Sequence, residues 1–281
     1  MAYRPAYSAH FAPETLQTVP LVDGFGSLTR EWAWEGGTGK GVKVAVIDSG
    51  IDANHPAIEG GVQGYVAISE KPGNPDELVY DTAPHDDVYG HGTACAGIIR
   101  SMAPECELYS VRVLGATLGG RGQVFAAGLR WAIEHGMHVC NLSLSTGSKN
   151  FFGVLHDLAD QAYYRRIMII AAANNVPMMC YPALYSSVIS VGSHDVNDPY
   201  LYYYNPAPPV EFGALGINVR VPWQKGEWIT ATGNSFATPH IAGIVTKILS
   251  KHPGLTPFQM KGILYALASN VVRPVPQASA G

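Results

Sequence analysis

The sequence predicts an α/β fold: a doubly wound, three-layer sandwich around a mostly parallel central sheet. Three observations carry that prediction. Short continuous apolar runs recur along the chain, helix-like stretches lie between them, and the strongest run ends on an aspartate followed by a tight turn. Strands buried on both faces read as unbroken apolar runs, and alternation with helices makes parallel βαβ units.

The elements follow in order. Val42–Ile47 is the first buried strand and ends at Asp48. Glu107–Leu114, Met137–Leu144, Ile167–Ala173 and Val188–Val191 repeat the pattern. Between them, Arg121–His135 carries Val124, Leu129, Ala132 and Ile133 at helical spacing, and Phe151–Arg165 carries Val154, Leu155, Leu158 and Ala162. Ala237–Ser250 presents Ile241, Ile244, Val245, Ile248 and Leu249 as one stripe, broken by Pro253-Gly254. Thr256-Pro257-Phe258-Gln259 then supplies an N-cap, a proline at the first helical position and a capping-box glutamine for a last helix reaching about Ala268. The expected organisation is an N-terminal extension, 1–40, packing on the rest, a main domain over 41–270, and a Pro/Ala/Ser-rich tail or linker over 271–281.

Composition narrows the function. Of 281 residues, 47% are hydrophobic and 14% charged, which excludes a mostly disordered chain. Eighteen basic against 22 acidic residues give a net charge of −4, so no nucleic-acid partner is expected. The uncharged run Ile167–Ser193 has the length of a membrane span, but Asn174, Asn175, Pro177 and Pro182 would strand polar groups in lipid, and no membrane partner is expected. Residues 1–13 hold no apolar signal segment, and Cys95, Cys106, Cys140 and Cys180 form no C-x-x-C pair. Both features favour the cytoplasm, although an excised mature domain would look the same.

Three segments carry chemistry. Asp48-Ser49-Gly50-Ile51-Asp52 closes the first strand, at the sheet edge where ligands gather in doubly wound folds. His91-Gly92-Thr93 opens a helix of small residues, Ala94 to Gly97. Gly233-Asn234-Ser235-Phe236-Ala237-Thr238-Pro239-His240 opens the long apolar helix and places a serine at the positive end of its dipole. Singly, each reads more readily as a turn or cap residue. Together they stand in the order Asp, His, Ser, the order of subtilisin among the known triads.

The chain resembles the subtilisin family of serine peptidases (subtilases, peptidase S8) over roughly Gly41–Ala268, on those three motifs and on Ala171-Ala172-Ala173-Asn174-Asn175. The resemblance implies a subtilisin-like sandwich and a serine endopeptidase. Ser235 would be the nucleophile, His91 the general base and acid, and Asp48 the residue that orients His91. Asn175 would donate to the oxyanion, with Asn174 the competing amide. Ser143-Leu144-Ser145 resembles one substrate-pairing strand, with Ser145 where the family commonly has glycine, and Leu118-Gly119-Gly120-Arg121-Gly122 resembles the opposite one, so that peptide would add as a strand between them. Cys180 falls at the base of the implied specificity pocket, with Val176, Met178 and Met179 as an apolar wall.

Other expectations come from departures. Asn234 stands where the family generally has threonine. Cys95 follows His91 by one turn, as a buried small residue or a thiol whose modification would displace His91. Asp86 and Asp87 read as solvated loop carboxylates, with attraction of a basic substrate residue as the competing reading. Ile98–Pro104 continues where secreted members insert a calcium loop, so no metal site of that kind and no cofactor are expected; Asp195 and Asp198 are the only weak candidates. About 40 residues precede the first strand, too few for a usual prodomain. The expected partner is a peptide or protein substrate; a larger parent protein or a pathway-specific precursor peptide also fits. A peptide ligase or macrocyclase on the same scaffold and a catalytically inactive peptide-binding module stand as alternative functions.

Overall fold

The computed structural model describes residues 28–207 and 209–271. Residues 1–27 and 272–281, which include most of the expected N-terminal extension and nearly all of the expected tail, lie outside the described residues.

The central sheet has nine strands in the order β3-β2-β4-β1-β5-β6-β7-β9-β8. These are β1 (Lys43–Asp48), β2 (Val62–Lys71), β3 (Asn74–Asp81), β4 (Glu107–Arg112), β5 (Val139–Leu142), β6 (Met168–Ala172), β7 (Ile189–His194), β8 (Tyr202–Tyr204) and β9 (Phe212–Leu215). Every pairing from β2 across to β9 is parallel, and the two outer strands, β3 and β8, pair antiparallel. A separate antiparallel hairpin joins β10 (Val219–Pro222) to β11 (Trp228–Ala231).

Helices cover both faces. The period-2 alternation of β1 shows how: Val44 and Val46 enter one core with α2 (His91–Met102) and α5 (Asn234–Lys251), whereas Ala45 and Ile47 enter the other with α3 (Gly122–Glu134) and α4 (Phe152–Tyr164). α6 (Pro257–Leu267) packs into the first core, and its start is as expected: Thr256 accepts from Gln259 N, and the Gln259 side chain returns to the Thr256 amide at 2.9 Å. The helices and inner strands lie within a few residues of the predicted bounds. α2 runs unbroken to Met102.

The described part of the extension packs on the sandwich through α1 (Arg30–Ala33). Trp32 stacks on His252 at 4.0 Å between ring centroids, Lys251 Nζ donates to the carbonyls of Glu31 and Glu35, and Gly39 N donates to Ser250 Oγ.

The topology positions the site. From β1 the sheet grows outward to β4 on one side and to β5 and β6 on the other, so the carboxyl ends of β1, β5 and β6 flank a switch in winding direction. Loops leaving that edge diverge to opposite faces and open a cleft.

Candidate active site

Asp48 is the last residue of β1 and is fully buried. His91 is the first residue of α2, and its Nδ1 lies 2.9 Å from both Asp48 carboxylate oxygens. Backbone geometry makes this approach possible. Gly50 turns the chain at φ 109°, and a side-chain carbon on Gly92 would collide with the Gly50 carbonyl, so the turn after β1 and the start of α2 meet with no room for one.

Electrostatics follow from the packing. Burial pulls the His91 pKa down, but the Asp48 charge, its hydrogen bond and the more distant Asp87 charge together raise it above the ordinary histidine value. With Nδ1–H held by Asp48, Nε2 is left as the basic nitrogen at neutral pH.

Ser235 is the second residue of α5. Its carbonyl accepts from Ser143 Oγ at 2.8 Å and faces Cys95 Sγ at 3.6 Å; Asn141 Nδ2 in turn donates to Ser143 Oγ. Phe236 packs against the His91 ring at 5.3 Å. Ser235 and His91 line one cavity of about 260 Å³ with Leu114, Leu118, Ser143, Leu144, Ser145 and residues 172–175. Among the described residues no hydrogen bond joins Ser235 Oγ to His91. Such contacts often tighten only around substrate.

Asn174 and Asn175 both line this cavity, but their side chains are bonded differently. The Asn175 Oδ1 accepts from Asn234 N at 2.9 Å, which leaves its NH₂ as the presented group. A side-chain carbon built on Gly233 would lie 3.2 Å from Ser235 Oγ and 3.5 Å from Asn175 Nδ2, so the two polar groups face one small space that glycine keeps open. Asn174 Oδ1 instead accepts from Val176 N in a local turn.

The other predicted residues divide. Ser143, Leu144 and Ser145 line the cavity beyond the end of β5, and Leu144 and Ser145 make no backbone hydrogen bond among the described residues. Gly119 and Gly120 lie in a turn rather than a strand: Gly115 N donates to Gly119 O and Leu118 N to Gly115 O, and on that side Leu114 and Leu118 reach the cavity. Cys180 does not line the cavity. It is buried in the core on the α3–α4 side, beside the Thr146–Tyr181 bridge. Val176, Met178 and Met179 stand exposed outside the cavity.

Asp86 and Asp87 are not a pair of solvated carboxylates. Asp86 is exposed, but Asp87 is 5% exposed and accepts five hydrogen bonds, from Ser49 Oγ, Tyr89 N, Gly90 N, Thr93 N and Thr93 Oγ1. Ser49 Oγ also accepts from Gly92 N. This carboxylate caps the first turn of α2 and ties it to the segment after Asp48. The available signal was an acidic residue just before a helix N-terminus; its burial was not legible. Cys95 is fully buried behind the Asp48–His91 pair, its sulfur within 4.8 Å of their ligating atoms, and burial holds its thiol well above its usual pKa. It is therefore a neutral thiol in contact with the helix that carries Ser235.

Fold and site together define the class: an α/β protein in which a buried Asp–His pair and a helix-terminal serine converge on one cleft, the arrangement of serine hydrolases. Comparison with known proteins gives the family. The subtilase family model (Peptidase S8) matches residues 39–281. Subtilisin Savinase of Lederbergia lenta is 34% identical over 83% of this chain and 86% of its own length. Subtilisin E of Bacillus subtilis (strain 168) is 34% identical over 92% of this chain and 68% of its own. M-protease of Shouchella clausii (strain KSM-K16) is 34% identical over 83% of this chain, which spans 60% of that relative's length. A cold adapted subtilisin-like serine proteinase of solved structure superposes with a TM-score of 0.66 at 27% identity, covering 83% of this chain and 86% of its own. The chain belongs to the subtilase family of serine peptidases.

Proposed function

We propose that the chain is a serine endopeptidase that cleaves peptide bonds through Asp48, His91 and Ser235, with Asn175 as an oxyanion donor. The observation that carries the reading is the short, buried His91–Asp48 pair opening on the cavity that also holds Ser235 and Asn175. Ser235 Oγ attacks the scissile carbonyl while His91 Nε2 takes its proton. Asp48 holds the ring in the required tautomer and stabilises the imidazolium. The NH₂ of Asn175 and the Ser235 main-chain N–H take the oxyanion. As the acyl-enzyme forms, His91 passes the proton to the leaving amine, and water then enters by the reverse sequence.

Substrate lies as an added strand along the open backbone of Ser143-Leu144-Ser145, with the Leu118-Gly119-Gly120 side opposite. Leu114, Leu118 and Leu144 form the apolar part of the cavity lining, and His91 is the one titratable residue among those that line it, which suits uncharged side chains in the substrate. We also place the protein in a reducing compartment. All four cysteines are buried free thiols, as a reducing compartment leaves them.

A defined peptide library, read by mass spectrometry with and without an added amine nucleophile, tests this reading. Hydrolysis by the parent and none by Ser235→Ala is expected. Products joined to the amine in place of water would make the chain a ligase, and peptide binding without turnover would make it a binding module.

A further inference from the structure

We infer that Asn234 is a positioning residue for the oxyanion site, bracing the chain on which Asn175 sits. The inference rests on the peptidase reading above and concerns how its oxyanion donor is held.

β6 ends at Ala172, and the last sheet bond on this path is Ala173 N to Val191 O at 2.9 Å. Beyond it the chain leaves the ladder, and the residues that follow need another anchor. Asn234 supplies it three times. Its side-chain Nδ2 donates to Ala173 O at 3.1 Å and to Asn174 O at 3.0 Å, and its main-chain N donates to Asn175 Oδ1 at 2.9 Å. One residue thus holds three consecutive residues, the last of which is the proposed donor.

The direction of each bond is fixed by chemistry. Main-chain carbonyls only accept, so the nitrogen of the Asn234 carboxamide faces them. Its oxygen then faces Ser193 Oγ, which donates to it at 2.8 Å. Both carboxamide donors and an acceptor site are used, and Ser193, on β7, ties the brace back to the sheet. The main-chain bond has a second effect. It occupies Asn175 Oδ1 and so leaves the Asn175 NH₂ as the available group beside the space shared with Ser235 Oγ. A threonine at this position, the residue the family resemblance leads one to expect, has a single hydroxyl donor and cannot hold both carbonyls.

Asn234 touches neither the proposed nucleophile's hydroxyl nor the proton path. Its contribution is precision, and a displacement on the order of 1 Å at a catalytic group can cost roughly a hundredfold in rate. An oxyanion contact matters most in the transition state, so the effect belongs in kcat and not in KM.

The test is steady-state kinetics on one chromogenic peptide for the parent, Asn234→Ala, Asn234→Asp, Asn175→Ala and the Asn175→Ala/Asn234→Ala pair, each checked by thermal melting. Asn234→Asp keeps the shape and the bond from Ser193 and loses both donors, so it reports even if Asn234→Ala folds poorly. Each Asn234 variant is expected to lose about 10- to 100-fold in kcat with KM within about twofold. Asn175→Ala is expected to lose about 10²–10³-fold, and adding Asn234→Ala to it should cost no more than about twofold again, because the brace then holds nothing catalytic. Parent-like kcat in both folded Asn234 variants overturns the inference, as does a loss confined to KM or a double variant whose loss is the product of the two singles. A parent without turnover that Ser235→Ala removes overturns the peptidase reading itself, and that result is distinct from an active parent indifferent to Asn234.

Discussion

At the residue scale the site depends on where charge is buried. Asp48 and Asp87 are both buried carboxylates, yet they do different work: Asp48 holds the imidazole and Asp87 holds the backbone on which the imidazole is mounted. Asp87 also helps raise the His91 pKa. A base must be neutral to act, so rate falls as pH drops through the His91 pKa. Asp87→Asn removes one negative charge, lowers that pKa, and should move the acid limb of the kcat/KM profile to lower pH. It also turns an acceptor toward donors with an NH₂ group, so the unfolding midpoint in urea should fall, by about 2–3 kcal/mol in stability. An acid limb that stays in place, or moves to higher pH, would contradict this account of His91. The legibility of the site divides at the same scale. Asp48, His91, Ser235 and Asn175 were readable because each sits in a short motif at an element boundary. Asp87 and Asn141 were not, because their roles come from burial, which no motif marks; nor was the bracing role of Asn234, because its partners are backbone groups far away in sequence, Asn174 lying across 60 positions.

At the element scale, α2 and α5 carry the proposed catalytic residues and share one core. Gly97 of α2 abuts Pro222 of β10, and a side-chain carbon there would collide with the proline ring. Gly97→Ala gains up to about 1 kcal/mol in helix propensity but forces a rigid contact that costs about 1–3 kcal/mol. The clash should win, so the variant should melt below the parent; a higher melting temperature would refute the packing argument. α5 holds a second titratable group. His240 is buried, its Nδ1 is 2.9 Å from Phe236 O, and burial drives its pKa down to about 4. The unfolded chain protonates near pH 6.5, and the folded chain does not until about pH 4. Between those values only the unfolded state gains the proton, so stability is lost across that interval, by up to about 3 kcal/mol, and the loss levels off below it. Urea midpoints measured from pH 7 to 4 should fall more steeply for the parent than for His240→Gln, and equal slopes would assign the acid loss elsewhere. Elements with strong apolar periodicity or caps were legible: the inner strands, α3, α4, α5 and α6. The β2–β3 hairpin was not. β3 is exposed along nearly its whole length, so it lacks the apolar alternation by which a strand is recognised, and its pairing comes from β2 alone. β8, β9 and the β10–β11 hairpin are only three or four residues each, too short for a period to show.

At the scale of the whole molecule, residues 48, 91, 175 and 235 are separated along the chain and meet at one end of one sheet. That convergence follows from the winding: β1, β5 and β6 deliver their carboxyl ends to a common edge, and α2 and α5, on the same face, bring their N-termini over it. The low charged fraction agrees with a sheet covered on both faces, since seven of its strands pair in parallel and are flanked by helices on both sides. The specificity pocket expected from Cys180 at its base and Val176, Met178 and Met179 as its wall was the least legible part, because whether a short loop lines a cleft or stands clear of it depends on packing between distant segments. The central claim is that this architecture makes Ser235 a nucleophile. Intact-mass measurement after incubation with a fluorophosphonate probe tests it most directly. The account predicts one adduct on the parent, mapped to Ser235, and none on Ser235→Ala; an unlabelled parent, or an adduct that persists in the variant, would contradict it.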